Sequence, residues 1–424
     1  MKKFTEYLIS QETTQRKDTL WYTAGSLSNA LFSMLLSLAV TRILGASWAG
    51  IFAIAWAAAQ LMQSVGWFSM RQFQVSDVEE QFEFRDYFSS KLLTSGAMLI
   101  GGLLYGMAYG YSRQKLGLTF LFCCFMTADV FADVFSGFFQ HKNKLHLAGK
   151  SYVVRVWMSF AVILVILMTI RSLTAAFTAA LAVSAVWLAV FDLPLAKCLD
   201  LVRIQFRWKK QKELFGECIP LFLGSFLLIF IMNISKNGIN TYLSDEVQAC
   251  YNIIFMPSSV VNMFSMFVCV PLYGHVAVAW HNREERRFLG LVRNMLLYII
   301  ALTAVVLAGG YLLGIPVLSL ISGLDLRPYK AALMVLLAAG GLYGMIMILS
   351  YCITVMRRQK VTLVIYGAVA AGVQAASGPW IRLHGVMGAV ELYLAAMGMI
   401  CLAFVAVCVY YLKKMPGSQR DRRV

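Results

Sequence analysis

Ala196-Lys-Cys-Leu-Asp-Leu-Val-Arg-Ile-Gln-Phe-Arg-Trp-Lys-Lys-Gln-Lys-Glu-Leu-Phe215 is the longest basic stretch of the chain, and six apolar runs lie on either side of it. A helix needs about 20 mostly apolar residues to cross a bilayer, and each run is that long. The first set of helices is expected near 20–43, 48–70, 88–111, 117–140, 148–170 and 173–195. A second set is expected near 216–242, 248–274, 289–313, 329–354, 361–381 and 386–412. Continuous apolar runs, rather than alternating ten-residue segments, favour helices over a membrane barrel. The expected fold is therefore an all-α integral membrane protein of twelve spans in two six-helix lobes, with both termini cytoplasmic. Its parts would be an N-terminal lobe (1–195), a basic linker (196–215), a C-terminal lobe (216–412) and a basic tail (413–424).

Charge fixes the orientation. Seven segments rich in Lys and Arg alternate with six connections that carry only Arg42, Arg113, Lys115, Arg171, Arg327, Lys330 and Arg382. Cytoplasmic loops hold the excess of Lys and Arg, so the basic segments lie inside. Lys91 counts with Arg71 and Arg85 in one of them, which leaves Arg155 and Lys236 as the two cations within spans. Composition agrees: 60% of residues are hydrophobic and 14% charged, with a mean hydropathy of +0.70, far from a soluble domain. The net charge of +16 then reads as loops facing anionic lipid headgroups, with no nucleic acid as partner. No signal-peptide pattern precedes the first apolar run, which is expected to remain as an anchor. The nine cysteines show no C-x-x-C spacing and are expected to be buried thiols, and neither a metal nor a cofactor is expected.

Two equal sets of six, an even number, share one orientation and fit a parallel repeat. A short echo supports it: Leu44 to Phe52 and Leu243 to Tyr251 occupy the same place in the two halves. Residues 72–88 mix charge with Phe73, Phe82, Phe84 and Phe88, which reads either as an interfacial segment or as a solvated loop with aromatic anchors.

The first two spans, Asn29 to Ser69, resemble the opening of bacterial polysaccharide and oligosaccharide-lipid flippases of the multidrug/oligosaccharidyl-lipid/polysaccharide exporter superfamily. The core of the likeness is Thr41-Arg42-Ile43-Leu44-Gly45 followed by Gly50-Ile-Phe52. Gly137-Phe-Phe-Gln140, leading into a span with Arg155, is similar to the hairpin of the fourth and fifth helices. In the second half, Ser235-Lys236-Asn237 stands where many members carry an acidic residue beside a basic one. The resemblance implies a non-enzymatic transporter in a bacterial cell membrane. It would flip a polyprenyl-pyrophosphate-linked oligosaccharide to the outer leaflet by alternating access between the lobes. Its partners would be that lipid, the membrane lipids, and the glycan polymerase and glycosyltransferases of surface-polysaccharide assembly.

Ionisable groups inside spans are costly and usually face an interior or a wet cavity. Lys236, with Asn233, Asn237 and Asn240 at helical spacings, is read as a cavity-lining phosphate contact or as a lysine snorkelling to the outer headgroups. Asp129 and Asp133 lie one turn apart on the fourth span. Residues 133 and 155 are equally far from Lys144 along a hairpin, so Asp133 and Arg155 are expected to pair. That pair either knits the lobe together or opens for the phosphate while Asp129 takes a proton or cation. Arg42 is read as an interfacial anchor or a contact at the cavity mouth. Asn29, Gln60 and Gln63 would bond sugars or bridge helices, and Trp21, Trp48, Trp56 and Trp67 would stack on sugars or mark the membrane belt. Passage of a pyrophosphate out of an inside-negative cell runs downhill by about 2.3 kcal/mol per charge per 100 mV.

Three other readings are weighed. A cation-coupled antiporter of the same superfamily would typically need a carboxylate deep in the first span, and no Asp or Glu occurs between Asp18 and Asp77. A glycan-assembly enzyme would need clustered acid-base groups at one face, which the five scattered histidines do not provide. A scaffold for glycan assembly would show no translocation.

Overall fold

The computed structural model describes residues 15–76, 81–142, 144–199 and 204–413. Among the described residues the chain is helical with no strand, and ten helices are long and apolar enough to cross a membrane. The chain divides after Phe226 into two compact units.

The first unit is built from α1 (Gln15–Leu44), α2 (Ala46–Trp67), the short α3 (Met70–Ser76), α4 (Phe84–Ala108), α5 (Arg113–His141), α6 (Leu145–Thr169) and α7 (Leu173–Trp187). A π-helical turn, Leu188–Asp192, joins α7 to α8 (Leu193–Leu199), and α9 (Trp208–Tyr242) begins in this unit. Helix α2 is the innermost, buried over most of its length. Its alanines, Ala49, Ala53, Ala55 and Ala57–Ala59, let neighbouring helices come close, as small residues do where lipid supplies no hydrophobic drive. It packs on α5 and α4, while α1 packs on α6. Phe52, Trp56, Phe122, Phe125 and Phe177 form an aromatic centre, with the Phe122 and Phe177 rings 4.3 Å apart. Trp56 is thus neither belt nor sugar platform; its indole is core.

The backbones of α1 and α6 come close together at Gly149. A Cβ at Gly149 would stand 2.5 Å from both the carbonyl carbon and the oxygen of Trp21, and backbone cannot yield as a side-chain tip can. Gly149→Ala is expected to destabilise the unit by about 1–3 kcal/mol, the usual cost of overpacking, read as a lowered Tm in detergent. An unchanged Tm would mean that α1 and α6 slide apart freely.

The aromatic residues of the segment at 72–88 correct both of their readings. Phe82 and Phe84 are buried, packed with Met70, Phe135 and Phe138, and Phe73 and Phe88 lean on the same cluster. They close the end of the first unit instead of meeting lipid or water. The described residues 204–215 of the basic stretch are tied to α4. Arg207 donates to both oxygens of Asp86 and, at 2.9 Å, to Glu83, while Gln205 bonds Ser89 and Arg85. Arg85 and Arg207 hold the Glu83 carboxyl below its usual range. Glu83 and Asp86 also cap the start of α4 reciprocally. Helix α9 starts at Trp208 because Gln211, Leu214 and Cys218 repeat at three and four residues and are buried, with Lys209 and Lys212 on the outer face.

The second unit continues α9 and adds α10 (Asp245–His281), α11 (Glu285–Gly309), a π-helical turn at Gly310–Gly314, α12 (Ile315–Ser322), a 3-10 turn at Arg327–Tyr329, α13 (Lys330–Val355) and α14 (Gln359–Lys413). Helix α13 packs on α10, α11 and α14. Its Gly340-Gly341 pair takes the close contacts, since Cβ atoms there would meet the Ser258 carbonyl at 2.7 Å and the Thr303 hydroxyl at 2.5 Å. Helix α14 is broken at Gly385, whose φ of 58° and ψ of −134° are non-helical and suit glycine. The two arms, 359–384 and 386–413, fold back on one another: Tyr366 and Phe404 meet at 5.5 Å.

Candidate functional site

Helix α2 ends where Phe68 and Ser69 take left-handed conformations, with φ of 48° and 52°. Its last carbonyls are captured from α4: Lys91 Nζ donates to Trp67 O at 2.8 Å, and Thr94 donates to Gly66 O at 2.8 Å. Lys91 is completely buried and makes a second bond, to Asp133 at 3.1 Å. Arg71, just past the break, stands 3.9 Å from the other oxygen of Asp133 and donates to Gln140 at 3.1 Å. One carboxylate thus holds two cations beside a helix break.

One turn along α5, Asp129 forms a second centre. Arg155 donates to one of its oxygens at 2.6 Å and Gln63 to the other at 3.2 Å. The guanidinium, only 2% exposed, also lies over the Tyr152 ring at 5.3 Å, and its Nε has no hydrogen-bond partner. Here the expected pairing is corrected: Arg155 joins Asp129, and Asp133 belongs to Lys91 and Arg71. Gln63 bridges α2 to α5 and so takes the helix-bridging role of its two readings. Lys91 is corrected as well, from a loop cation to a third cation buried in a span.

A cleft of about 300 Å³ opens onto both centres, with Asn29, Trp67, Arg71, Asp129, Asp133 and Tyr152 on its walls. Both carboxylates keep partial access to it, at 20% and 15% exposed. Beyond Arg155, Asp192 is buried at the end of the π-helical turn, accepting from Ser151 at 2.8 Å, which in turn accepts from Trp187 at 2.9 Å. Arg71, Lys91 and Arg155 therefore face Asp129, Asp133 and Asp192. Lys91 and Asp192 lay within the expected spans 88–111 and 173–195, where position alone would have marked them as costly.

In the second unit Lys236 is half-buried on α9, its ammonium 4.8 Å from the Phe255 ring centre. Among the described residues no carboxylate lies within ion-pair distance of it. The amides around it divide into two stripes. Asn233 and Asn237 are buried, Asn233 bonding the Ile229 carbonyl at 3.0 Å, while Asn240 is half-buried like Lys236. Ser235 ties α9 to α14 by donating to Ala389 O at 2.8 Å. Arg42 is exposed in the last turn of α1.

These features define a multi-pass membrane protein with the fold of transporters of the MOP superfamily. The family model described as polysaccharide biosynthesis protein matches residues 16–275, more than half of the chain, and the chain belongs to that family. Among solved structures, it is similar to the inward-facing form of a multidrug-resistance MATE transporter, at 13% identity and a TM-score of 0.65, over 93% of this chain and 96% of that one. It is similar to a Vibrio cholerae MATE transporter, VcmN, at 12% identity and a TM-score of 0.62, over 98% of each chain. A MOP-superfamily transporter from Pyrococcus furiosus, said to have a binding pocket of reverse polarity, aligns at 13% identity and a TM-score of 0.56, over 96% of this chain and 99% of that one. No curated protein matches the sequence.

Proposed function

We propose that this protein carries a polyprenyl-pyrophosphate-linked oligosaccharide from the cytoplasmic to the outer leaflet of a bacterial cell membrane, as part of surface-polysaccharide assembly. The observation that carries the reading is a cation-bearing cleft inside a membrane unit of a polysaccharide biosynthesis family member. Arg71 on the cleft wall, with Lys91 and Arg155 buried behind Asp133 and Asp129, suits an anionic pyrophosphate. Asn29, Trp67 and Tyr152 offer amide, indole and phenol groups to sugars. Because Asp133 holds Arg71 and Lys91 and Asp129 holds Arg155, we take cargo entry to require that Asp129 or Asp133 bind a proton or cation and release its partner to the phosphate. Twelve spans with cytoplasmic termini fit this reading. The ten candidate spans are joined by α10, of comparable length, and by the division of α14 at Gly385. Glycosyltransferases would supply the cargo, and a glycan polymerase would use it.

The test is translocation by purified protein in vesicles, with a fluorescent lipid-linked oligosaccharide and a membrane-impermeant quencher. Quenching that grows with time only in protein-containing vesicles is the expected result; equal, slow quenching with and without protein would remove the proposal. The carboxylates on the cleft favour a second reading, a cation-coupled antiporter. That reading is distinguished by uptake of a small cationic dye driven by a proton or sodium gradient.

A further inference from the structure

The second unit has a pocket of about 1060 Å³ at the ends of its helices opposite to Lys236. It lies where α10, α13 and the second arm of α14 all finish, and its walls include His281, Arg283, Arg357, Arg358, Tyr410 and Tyr411. No carboxylate is among the lining residues. Among the described residues none lies within ion-pair distance of the three arginines either. The nearby Glu284 is taken by Arg287 at 2.9 Å and by Asn282. Arg358 is held over the Tyr411 ring at 4.9 Å, which fixes the plane of its guanidinium.

Two of these residues, like Arg171 in the first unit, also have an uncommon backbone conformation. Arg283 and Arg357 each sit one residue past a helix cap in the left-handed region, with φ of 59° and 56°. The turns are closed by bonds from Glu284 to Ala279 O and from Arg358 to Ile353 O. Such positions ordinarily go to Gly or Asn, because a Cβ is disfavoured there. Two arginines in that conformation, converging with a third on one open pocket, are poorly explained by the stability of the turns. Guanidinium is the side chain best matched to phosphate oxygens, which it binds in a planar fork.

We infer that this pocket binds a phosphate-bearing group at the basic face of the second unit, independently of what the protein transports. The Lys- and Arg-rich ends define the cytoplasmic face, and the sequence past Lys413 stays basic, with Lys414, Arg420, Arg422 and Arg423 against one acid, Asp421. Two sources present that chemistry: the headgroup of an anionic phospholipid in the adjoining leaflet, and a soluble phosphate or pyrophosphate compound.

The full-length protein is placed in phosphatidylcholine discs, with and without phosphatidylglycerol, and retained lipid is counted by native mass spectrometry. In a parallel arm, inorganic pyrophosphate is titrated in the neutral discs while Tm is followed. The variant combines Arg283→Asn and Arg357→Asn, since Asn tolerates the left-handed backbone, with Arg358→Gln; the three single variants are made beside it, so that misfolding of the triple does not end the test. Retention of phosphatidylglycerol that is at least about tenfold weaker in the triple variant assigns the lipid source. Pyrophosphate stabilisation lost in the same variant, with no preference between the lipids, assigns the soluble source. No binding of either probe by the parent, or binding unchanged in every variant, would overturn the inference.

Discussion

Asp133→Ala is expected to destabilise the first unit by about 3–5 kcal/mol, the cost of removing one partner from a buried ion pair. The size follows from what is left behind. Lys91 is wholly buried and, among the described residues, bonds Asp133 and the Trp67 carbonyl, so loss of the carboxylate strands an ammonium in a low-dielectric interior with Arg71 nearby. Lys91→Met should cost less, because Asp133 keeps Arg71 and a share of the cleft opening. The double variant, Lys91→Met with Asp133→Leu, separates architecture from function, since replacing both members of a buried pair by apolar groups of similar size is often neutral or stabilising. It is expected to regain most of the lost Tm in detergent while remaining inactive in vesicle translocation. A double variant with normal Tm and normal transport would show that the pair only fastens α4 to α5, and would take the centre out of the cargo path. A double variant as unstable as Asp133→Ala would mean that the capture of the α2 carbonyls, not the ion pair, dominates.

The helices themselves were legible because a bilayer imposes one strong condition, a run of apolar residues of fixed length. The described helices fall on the expected spans, and they mostly run longer at the ends where Lys and Arg lie in water. What failed was depth. Counting outward from Lys144 placed Arg155 opposite Asp133, but such counting is good only to about one helical turn, 5.4 Å. Asp129 and Asp133 are separated by that one turn, so a small offset in the hairpin exchanges one carboxylate for the other. Lys91 was hidden differently. It follows the water-facing Arg85 by six residues, and nothing in the sequence tells that the carbonyls of Gly66 and Trp67 need donors until the break at Phe68 and Ser69 is seen. Asp192 was masked by the basic run that begins at Lys197. The pocket around Arg283, Arg357 and Arg358 was out of reach for a third reason. Its residues come from two connections and the end of α14, far apart in sequence, and each connection reads correctly, on its own, as an ordinary basic loop.

Lys236 presents the reverse of the Asp133 case, a cation whose removal should help folding and harm function. An ammonium at the centre of a membrane helix costs about 2.5–3.5 kcal/mol on insertion scales, an upper bound for Lys236 near the end of α9, and its contact with the Phe255 ring returns about 0.5–2 kcal/mol. With no carboxylate partner among the described residues, Lys236→Met is expected to leave Tm unchanged or raise it. If the ammonium bonds the cargo phosphate during translocation, that contact is a charge-assisted hydrogen bond worth about 1.5–3 kcal/mol. Its loss from the transition state alone then slows transport by roughly ten- to a hundredfold. Lys236→Glu, which places like charge against the phosphate, is expected to abolish transport at normal abundance. Lys236→Arg should retain part of the rate, because charge and donors survive while the shape changes. The informative measurement is the pair of Tm and translocation rate on the same preparation. Raised Tm with a full rate for Lys236→Met would mark a lysine that merely snorkels toward headgroups. Raised Tm with a rate lower by the expected factor would show that the position keeps a destabilising charge for the cargo it meets.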